Sequence, residues 1–281
     1  MNIDEIIDKA LQEDIGGGDF TSLATIPDKT KGKAQLVLKE DGVLAGIDVA
    51  ERVFGKVDKN IYFKKLIIDG SIVKKGDIAF TVEGKSVSIL SAERLALNFM
   101  QRMSGIATFT HKLVTQLKGL NTKVLDTRKT TPLLRELEKY AVRTGGGENH
   151  RIGLYDMIMI KDNHIDFAGG IKQAIDSTHR YLAEKGKNLK IEIEVRDFDE
   201  MDQVLECGGI DRIMSDNFTP AELKKAVEII NGKYETEASG GITLETIRQY
   251  AETGVDYISV GALTHHVKSL DMSLQVLINY F

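Results

Sequence analysis

The alternation of short apolar runs with helical segments in the second half of the chain constrains its fold most. The apolar runs are KVLDT, YDMIMIK, KIEIEV, DRIMSD, YETEASG and YISVGA, and helical patterns such as DEMDQVLECGG and PAELKKAVEIING separate the later ones. Repeated strand-then-helix units with short connections favour a parallel sheet that is closed, or nearly closed, into a barrel. In such folds the functional groups lie at the carboxyl ends of the strands.

The first third of the chain has a different pattern. AQLVLKEDGVLAG, IYFKKLIIDGSIVKKGDIAFTVEGK and SVSIL are short apolar runs separated by Asp-Gly, Lys-Gly and Glu-Gly turns, which is typical of small antiparallel sheets. A long helix is predicted over residues 91–118, with Ser91 as its N-cap and Gly105 as an interruption. The sequence therefore predicts an α/β protein with two kinds of sheet.

Composition excludes several classes of protein. The 281 residues, 42% of them hydrophobic, are enough to bury a full core, and a formal net charge of -5 is unlike that of a nucleic-acid binder. No apolar stretch approaches the ~18 residues that span a bilayer. The lone Cys207 excludes an intramolecular disulfide and a cysteine zinc site. We therefore expect a cytoplasmic protein with neither nucleic acid nor membrane as partner.

Polar residues or glycines follow six of the predicted strands. They are residues 126–129, residues 161–164, Glu194, Asp216 with Asn217, residues 239–241, and Gly261. Each alone fits an ordinary loop, because loops are polar. Six of them at the same edge of one sheet are poorly explained by chance. We predict a single ring of functional groups at the top of the barrel.

Cations are concentrated in and around this ring. They are Arg128, Lys129, Arg143, His150, Arg151 and Lys161, within a chain that is acidic overall. Arginine presents a planar fork that suits carboxylates, lysine a compact charge that suits phosphate oxygens, and His150 adds a further donor. Because neighbouring cations repel one another, this concentration indicates a small ligand that is rich in negative charge.

Two other features of the ring point to a phosphorylated sugar. The glycine-containing loops SGGI and VGAL follow late strands, where barrels often bind phosphate through backbone N–H groups. Glu194 and Asp216 are suited to hold sugar hydroxyls, or to approach a magnesium ion already bound by the substrate. The alternative is two solvated carboxylates, which is less favoured for Glu194 because it alternates with apolar Ile193 and Val195.

Several ordered blocks resemble the quinolinate phosphoribosyltransferase family of NAD biosynthesis. They are ALQEDIGGGDFTS, SAERLALNFMQRMSGIAT, TRKTTP, EKYAV, GGG with the later HR, IKDNHI, EIEV, DNF, EASGGI and GALTH. The chain departs from the family pattern at Leu133, where glycine usually follows TTP, at Ser215, where an aliphatic residue is common, and at His266, where serine often follows LTH. A molybdenum-operon relative keeps much of the pattern, so the substrate is less closely determined than the fold.

The resemblance implies a type II phosphoribosyltransferase fold. It places an N-terminal α/β sandwich over residues 1–105, an incomplete (β/α) barrel over 106–265, and a C-terminal helix over 266–281 that packs on the sandwich. It also implies a homodimer or a larger assembly, in which Arg94 enters the site of the partner subunit.

The implied reaction transfers a phosphoribosyl group from phosphoribosyl pyrophosphate to quinolinate with loss of CO2, giving nicotinate mononucleotide and pyrophosphate. Arg128, His150 and Arg151 would bind the quinolinate carboxylates. Lys129, Lys161, Glu194 and Asp216 are the implied catalytic residues, the lysines at the phosphates and the carboxylates at the ribose. The other implied substrate contacts are Thr127, Ser239, Gly240, Gly241, Gly261, Ala262 and Leu263. Mg²⁺ would travel with the pyrophosphate, near Glu194 and Asp216, without a metal-ligand set of its own.

Two other classes of function fit parts of the sequence. A barrel with phosphate loops and Lys161 at a strand end is also typical of a Schiff-base aldolase. DGSIVKKGDIAFTVEG resembles a lipoyl or biotin carrier, but its turn lacks the Met-Lys-Met signature of a modified lysine, so a purely structural sheet is preferred.

Overall fold

Helices and strands follow both sequence patterns in a computed structural model that describes residues 2–277. The helices are α1 Ile3–Ile15, α2 Phe20–Thr25, α3 Ile47–Val57, α4 Ser86–Gln116, α5 Arg135–Thr144, α6 Asp162–Ala168, α7 Ile171–Lys185, α8 Phe198–Cys207, α9 Pro220–Ile230, α10 Ile247–Ala251 and α11 Ala262–His265. The strands are β1 Lys31–Leu38, β2 Gly42–Val43, β3 Tyr62–Lys65, β4 Ile72–Val73, β5 Ile78–Lys85, β6 Lys123–Leu125, β7 Ile158–Ile160, β8 Ile191–Val195, β9 Arg212–Asp216, β10 Glu235–Ser239, β11 Tyr257–Ser259 and β12 Met272–Val276.

The described residues divide into two units by their internal contacts. The first contains the residues up to His111, Thr130–Gly146, and those from Leu263 onward; the second contains Lys112–Lys129 and Gly147–Ala262. The domain limits predicted from the sequence, 1–105 and 106–265, stay a prediction. No described helix is long and apolar enough to cross a membrane.

An antiparallel sheet forms the core of the first unit. Its strand order is β12-β1-β5-β3, and β2 and β4 form a separate pair. Side chains alternate across a strand, so Leu36 and Leu38 of β1 face inward and are buried. Phe54 of α3 packs against Phe80 of β5, with ring centroids 5.9 Å apart. The antiparallel strands are what the short apolar runs of this region predict, whereas helix α3 was not predicted.

The C-terminal helix predicted over residues 266–281 is wrong where the structure describes it. Met272–Val276 is a strand that pairs antiparallel with β1, and Leu274 lies opposite Leu36. The spacing of apolar residues in MSLQV fits either element, and the edge of β1 provides hydrogen-bond partners that favour the strand. The remainder of that prediction, 278–281, lies outside the described residues.

Gly105 does not interrupt the long helix. α4 begins at Ser86, five residues before the predicted N-cap, and continues through Gly105 to Gln116. A Cβ atom at position 105 would lie 2.3 Å from the backbone carbonyl oxygen of Lys268. The glycine therefore permits a close backbone approach within the first unit instead of ending the helix.

A parallel sheet of six strands forms the second unit. Its strand order is β6-β11-β10-β9-β8-β7, so strands that are consecutive along the chain are neighbours, and β6 closes against β11. β6 and β7 are not paired with each other. Leu125 at the end of β6 instead forms an isolated bridge with Glu148. This order is that of a barrel left open at one seam, and it confirms the predicted fold class of a sandwich domain with an incomplete (β/α) barrel.

Candidate active site

A cavity of about 380 Å³ lies at the carboxyl ends of the six parallel strands. Its lining residues are Thr127, Arg128, Lys129, His150, Arg151, Met159, Lys161, Glu194, Met214, Asp216, Glu237, Ser239 and Ser259. Each strand of the sheet contributes, either from its last residues or from the segment that directly follows it. The structure therefore brings the polar groups of these strand ends around one space, as the ring hypothesis expects.

Two arginines concentrate positive charge at one side of the cavity. Arg128 follows β6 and is exposed, whereas Arg151 is half-buried and donates from Nη1 to the carbonyl oxygen of Met157 at 3.3 Å. Burial lowers the pKa of the Arg151 guanidinium, and the charge of Arg128 lowers it further. Two cations held close together against their repulsion favour the binding of an anion between them.

A lysine and a carboxylate neutralise each other at the ends of β7 and β8. Lys161 follows β7, and its Nζ forms a close ion pair with Oε2 of Glu194 on β8. The side chain of Glu194 is only 10% exposed, while that of Lys161 is 41% exposed. The lysine therefore presents its charge to the cavity, and the carboxylate lies deeper in the sheet.

The turn after β9 and the turn after β10 fit closely together. Nδ2 of Asn217 donates to Oδ2 of Asp216 at 2.6 Å, and the Asn217 N–H donates to the carbonyl oxygen of Ser239 at 2.8 Å. Gly240 and Gly241 have φ angles of 101° and 61°. A Cβ atom at Gly240 would lie 2.2 Å from Oδ1 of Asn217, so this position requires glycine.

Some residues predicted for the site do not line the cavity. Gly240 and Gly241 directly follow Ser239, and Gly261 and Ala262 follow β11. Leu263 is fully buried and belongs, like Arg94 and Arg143, to the first unit. Arg94 lies on α4 with an exposed side chain. The ligand-binding roles of Gly240, Gly241, Gly261, Ala262, Leu263 and Arg94 stay predictions.

Four lining residues were not predicted from the sequence. They are Met159, Met214, Glu237 and Ser259. Each lies two residues before a position of the predicted ring, and residues i and i+2 of a strand face the same side of a sheet. This spacing was present in the sequence and would have identified them as the deeper part of the cavity.

His150 is held on several sides at the base of the cavity. Its backbone N–H donates to Oδ1 of Asp126 at 2.9 Å, and its Nδ1 accepts the N–H of Arg151 at 2.7 Å. Its Nε2 lies 3.0 Å from Oε2 of Glu192, a fully buried carboxylate of β8. The imidazole is therefore directed toward buried carboxylates at Nε2, and the substrate-binding role predicted for His150 stays a prediction.

Comparison with known proteins gives a consistent result over nearly the whole chain. A family described as quinolinate phosphoribosyl transferase matches with its N-terminal domain over residues 19–104 and with its C-terminal domain over residues 106–275. The chain is 46% identical over 286 residues to quinolinate phosphoribosyltransferase (decarboxylating) 1b of Nicotiana tabacum, covering 96% of this chain and 81% of that protein. It is 47% identical over 286 residues to the nicotinate-nucleotide pyrophosphorylase (carboxylating), chloroplastic, of Arabidopsis thaliana, covering 96% of this chain and 82% of that protein.

A solved structure has the same fold. The nicotinate-nucleotide pyrophosphorylase from Francisella tularensis matches with a TM-score of 0.92 and 42% sequence identity, over 98% of this chain and 96% of that one.

Proposed function

Because the chain belongs to the quinolinate phosphoribosyltransferase family, we propose that it transfers the phosphoribosyl group of phosphoribosyl pyrophosphate to quinolinate with decarboxylation. The products are nicotinate mononucleotide, pyrophosphate and CO2, in NAD biosynthesis. The observation that carries this proposal most directly is the cavity at the six strand ends, where paired arginines lie beside lysines, carboxylates and a glycine turn. Such a site provides separate places for a dicarboxylate and for a phosphorylated sugar.

The quinolinate carboxylates bind at the arginine side of the cavity in this proposal. Arg128 and Arg151 supply planar donor pairs, and the anion between them relieves the repulsion that lowers the pKa of Arg151. Arg94 of the partner subunit completes the pocket, which makes the active enzyme a homodimer or a larger assembly. The support for this last part is the sequence resemblance alone.

Phosphoribosyl pyrophosphate binds at the other strand ends. Lys129 and Lys161 neutralise the phosphate and pyrophosphate oxygens, and Glu194 and Asp216 bind the ribose hydroxyls. The backbone of Ser239, Gly240, Gly241, Gly261, Ala262 and Leu263 supplies N–H groups to the 5-phosphate. Thr127, whose Oγ1 accepts the N–H of Lys129 at 3.0 Å, orders the loop that presents Lys129.

The donor set of the cavity fits a magnesium ion that arrives with pyrophosphate. Oxygen donors suit Mg²⁺, but Glu194 is already paired with Lys161, and Asp216 accepts a hydrogen bond from Asn217. Neither carboxylate is therefore assigned as a resident ligand of the ion. Bound to pyrophosphate near Glu194 and Asp216, Mg²⁺ would supply charge neutralisation for the leaving group.

The residues of the cavity account for the chemistry without a protein nucleophile. Departure of pyrophosphate gives the ribose carbon cationic character, which Glu194 or Asp216 stabilises, while Lys129 and Lys161 stabilise the negative charge of the leaving group. The pyridine nitrogen then attacks the ribose carbon. The positive charge of the resulting quaternary nitrogen stabilises the carbanion left on the adjacent ring carbon when the 2-carboxylate leaves as CO2, and that carbon then takes up a proton from solvent.

The test is an assay with phosphoribosyl pyrophosphate and Mg²⁺ in which quinolinate, nicotinate and candidate substrates of the molybdenum-operon relative are compared. Nicotinate lacks the 2-carboxylate and leaves buried donors unpaired, so quinolinate is expected to be preferred by at least ~100-fold in kcat/KM. Comparable turnover of nicotinate would contradict the proposal. Borohydride trapping of an adduct on Lys161 would favour the aldolase alternative, and a mass increase of the intact chain would favour the carrier.

We also propose a cytoplasmic location, supported by the single cysteine, Cys207. Plant relatives are named for organelles, so fractionation of the source cells is the test, and recovery of the protein in an organelle would contradict it.

A further inference from the structure

Two carboxylates are buried in the parallel sheet beneath the cavity. Glu192 of β8 and Glu237 of β10 are 0% exposed, and Arg212 of β9 lies between their strands. Nη1 of Arg212 donates to Oε2 of Glu237 at 2.8 Å and lies 3.9 Å from Oε2 of Glu192. A buried carboxylate is costly unless a partner compensates its charge, and one guanidinium cannot balance both.

His150 brings a further proton-bearing group to these carboxylates. Its Nε2 lies 3.0 Å from Oε2 of Glu192 and 3.4 Å from Oε2 of Glu237. Burial opposes a charged ring, but the two carboxylates more than offset this and raise the pKa of His150 to about 9. Burial likewise raises the pKa of Glu192. Because Nδ1 accepts the Arg151 N–H, the ring carries its own proton at Nε2, and the additional proton implied by the raised pKa values belongs to the buried pair of His150 and Glu192.

The same geometry connects the buried carboxylates to the cavity. The ring of His150 is held at Nε2 by Glu192 and Glu237, and at Nδ1 by the N–H of Arg151. The His150 N–H is held by Asp126. Because the ring and the backbone of His150 are both held, the backbone of the next residue, Arg151, is fixed where its side chain enters the cavity.

A resident metal ion does not fit this group. Ligand atoms of His150, Glu192 and Glu237 lie within 4.8 Å of one another, which is close enough for a metal site. However, the guanidinium of Arg212 is hydrogen-bonded to Glu237 and would repel a cation there. The electrostatic approach of His150 Nε2 to both carboxylates accounts for the same distances without that repulsion.

We propose that Glu192 and Glu237 are positioning residues for the substrate site, which hold His150 at Nε2 and thereby fix Arg151 in its orientation toward the carboxylate ligand. His150 then acts through Arg151 and not as a direct donor to substrate. The proposal rests on the proposed function, in which Arg151 binds quinolinate.

The test compares Glu237→Gln and Glu192→Gln with Glu235→Gln as a matched control. Glu235 lies on the same strand as Glu237 and accepts hydrogen bonds from the same Arg212, at 3.0 and 3.2 Å, but His150 is not among its partners. The Glu237 and Glu192 variants are expected to raise KM for quinolinate at least about tenfold, as when the outer partner of an orienting histidine is lost. KM for phosphoribosyl pyrophosphate should stay unchanged, and Glu235→Gln should resemble wild type for both substrates.

A double-mutant cycle identifies the route of the effect. If Glu237 acts through Arg151, Glu237→Gln should weaken quinolinate binding much less in an Arg151→Lys background than in wild type. Equal losses in both backgrounds would overturn the proposal. So would a rise in KM for both substrates together, or an effect of Glu235→Gln as large as that of Glu237→Gln.

Wild-type protein provides a second measurement if the variants fold poorly. The measurement is an NMR spectrum of ¹⁵N-labelled protein. The chain has six histidines, and the signals of His150 are identified as those missing from the spectrum of His150→Asn. In wild type, His150 should show a slowly exchanging proton on Nε2 from pH 6 to 8. A ring that titrates near its ordinary pKa, or a stoichiometric bound metal, would overturn the proposal. If instead wild type does not use quinolinate, the proposed function fails, and the state of the His150 ring is still decided by the spectrum.

Discussion

Replacing two helical glycines of the first unit with alanine is expected to change the stability of the protein in opposite directions. Gly105 lies inside α4, and Gly55 lies inside α3. A Cβ atom at Gly105 would approach the carbonyl oxygen of Lys268 to 2.3 Å, whereas real Cβ atoms essentially never come closer than 3.0 Å to such a neighbour. A Cβ atom at Gly55 meets nothing within 4 Å.

The magnitudes follow from these distances. Alanine stabilises a helix by about 0.5–1 kcal/mol relative to glycine, which is the whole effect expected at the open position 55. At position 105 the obstacle is backbone, which no side-chain rotation can move away. Overpacking of this kind costs about 1–3 kcal/mol, and a backbone clash belongs at the upper end of that range. We therefore expect Gly105→Ala to lower the free energy of unfolding by about 2 kcal/mol net.

Thermal melting followed by circular dichroism measures both changes. For a chain of this size 1 kcal/mol corresponds to roughly 2 °C, so Gly105→Ala should melt about 4 °C below wild type and Gly55→Ala about 1–2 °C above it. Urea unfolding should give midpoints in the same order. A Gly105→Ala protein as stable as wild type would refute the close approach between α4 and residue 268, and a destabilised Gly55→Ala protein would refute the open environment.

Three other predictions concern the site. Arg151→Ala should mainly weaken quinolinate binding and Asp216→Ala should mainly weaken phosphoribosyl pyrophosphate binding; equal losses for one ligand by calorimetry would contradict the division of the cavity. Inactive Arg94→Ala and Asp216→Ala proteins, refolded together, should recover roughly a quarter of wild-type activity if Arg94 serves the partner subunit of an isologous dimer, and none if it does not. The pKa of His150 is raised to about 9, so the folded protein retains a proton that the unfolded chain loses near pH 6.5. The free energy of unfolding should therefore fall as the pH rises from about 6.5 to about 9. In His150→Asn the fall over the same pH range should be smaller.

The sequence predicted the parallel sheet well because its strands are buried and its connections are short. All five residues of β8 and the first four of β9 are buried. β12 was mistaken for a helix because its five residues carry no decisive period, and the choice depends on the edge of β1, some 230 residues away in the chain. Gly105 was mistaken for an interruption because the backbone that it approaches, at Lys268, also lies far along the chain.

Leu133 illustrates a departure from the family pattern that the structure explains in part. The resemblance indicates glycine after TTP, and Leu133 has a φ of 68°, in the left-handed region that glycine adopts most easily. Its side chain is 66% exposed, so no steric clash adds to the backbone cost. The backbone here therefore takes a conformation that costs leucine more than it would cost glycine. Nothing in the structure explains the serine at Ser215 or the histidine at His266.

The buried carboxylates explain how an acidic chain maintains a cationic cavity. At each strand end, the outermost residue that faces the cavity is closest to the ligand. The residue two positions earlier on the same strand faces the same side and lies about 7 Å deeper. Cations occupy the outer positions after β6 and β7, at Arg128 and Lys161, while Glu192 and Glu237 occupy inner positions of β8 and β10. The inner carboxylates attract the outer cations, and Glu192 partly opposes the lowering of the Arg151 pKa that burial and the charge of Arg128 cause. The cations can therefore be held together before substrate binds, yet each loses some of the affinity for anions that it would have alone. A site built this way binds a ligand tightly only if the ligand brings several negative groups at once, which is the property shared by a pyridine dicarboxylate and a sugar pyrophosphate.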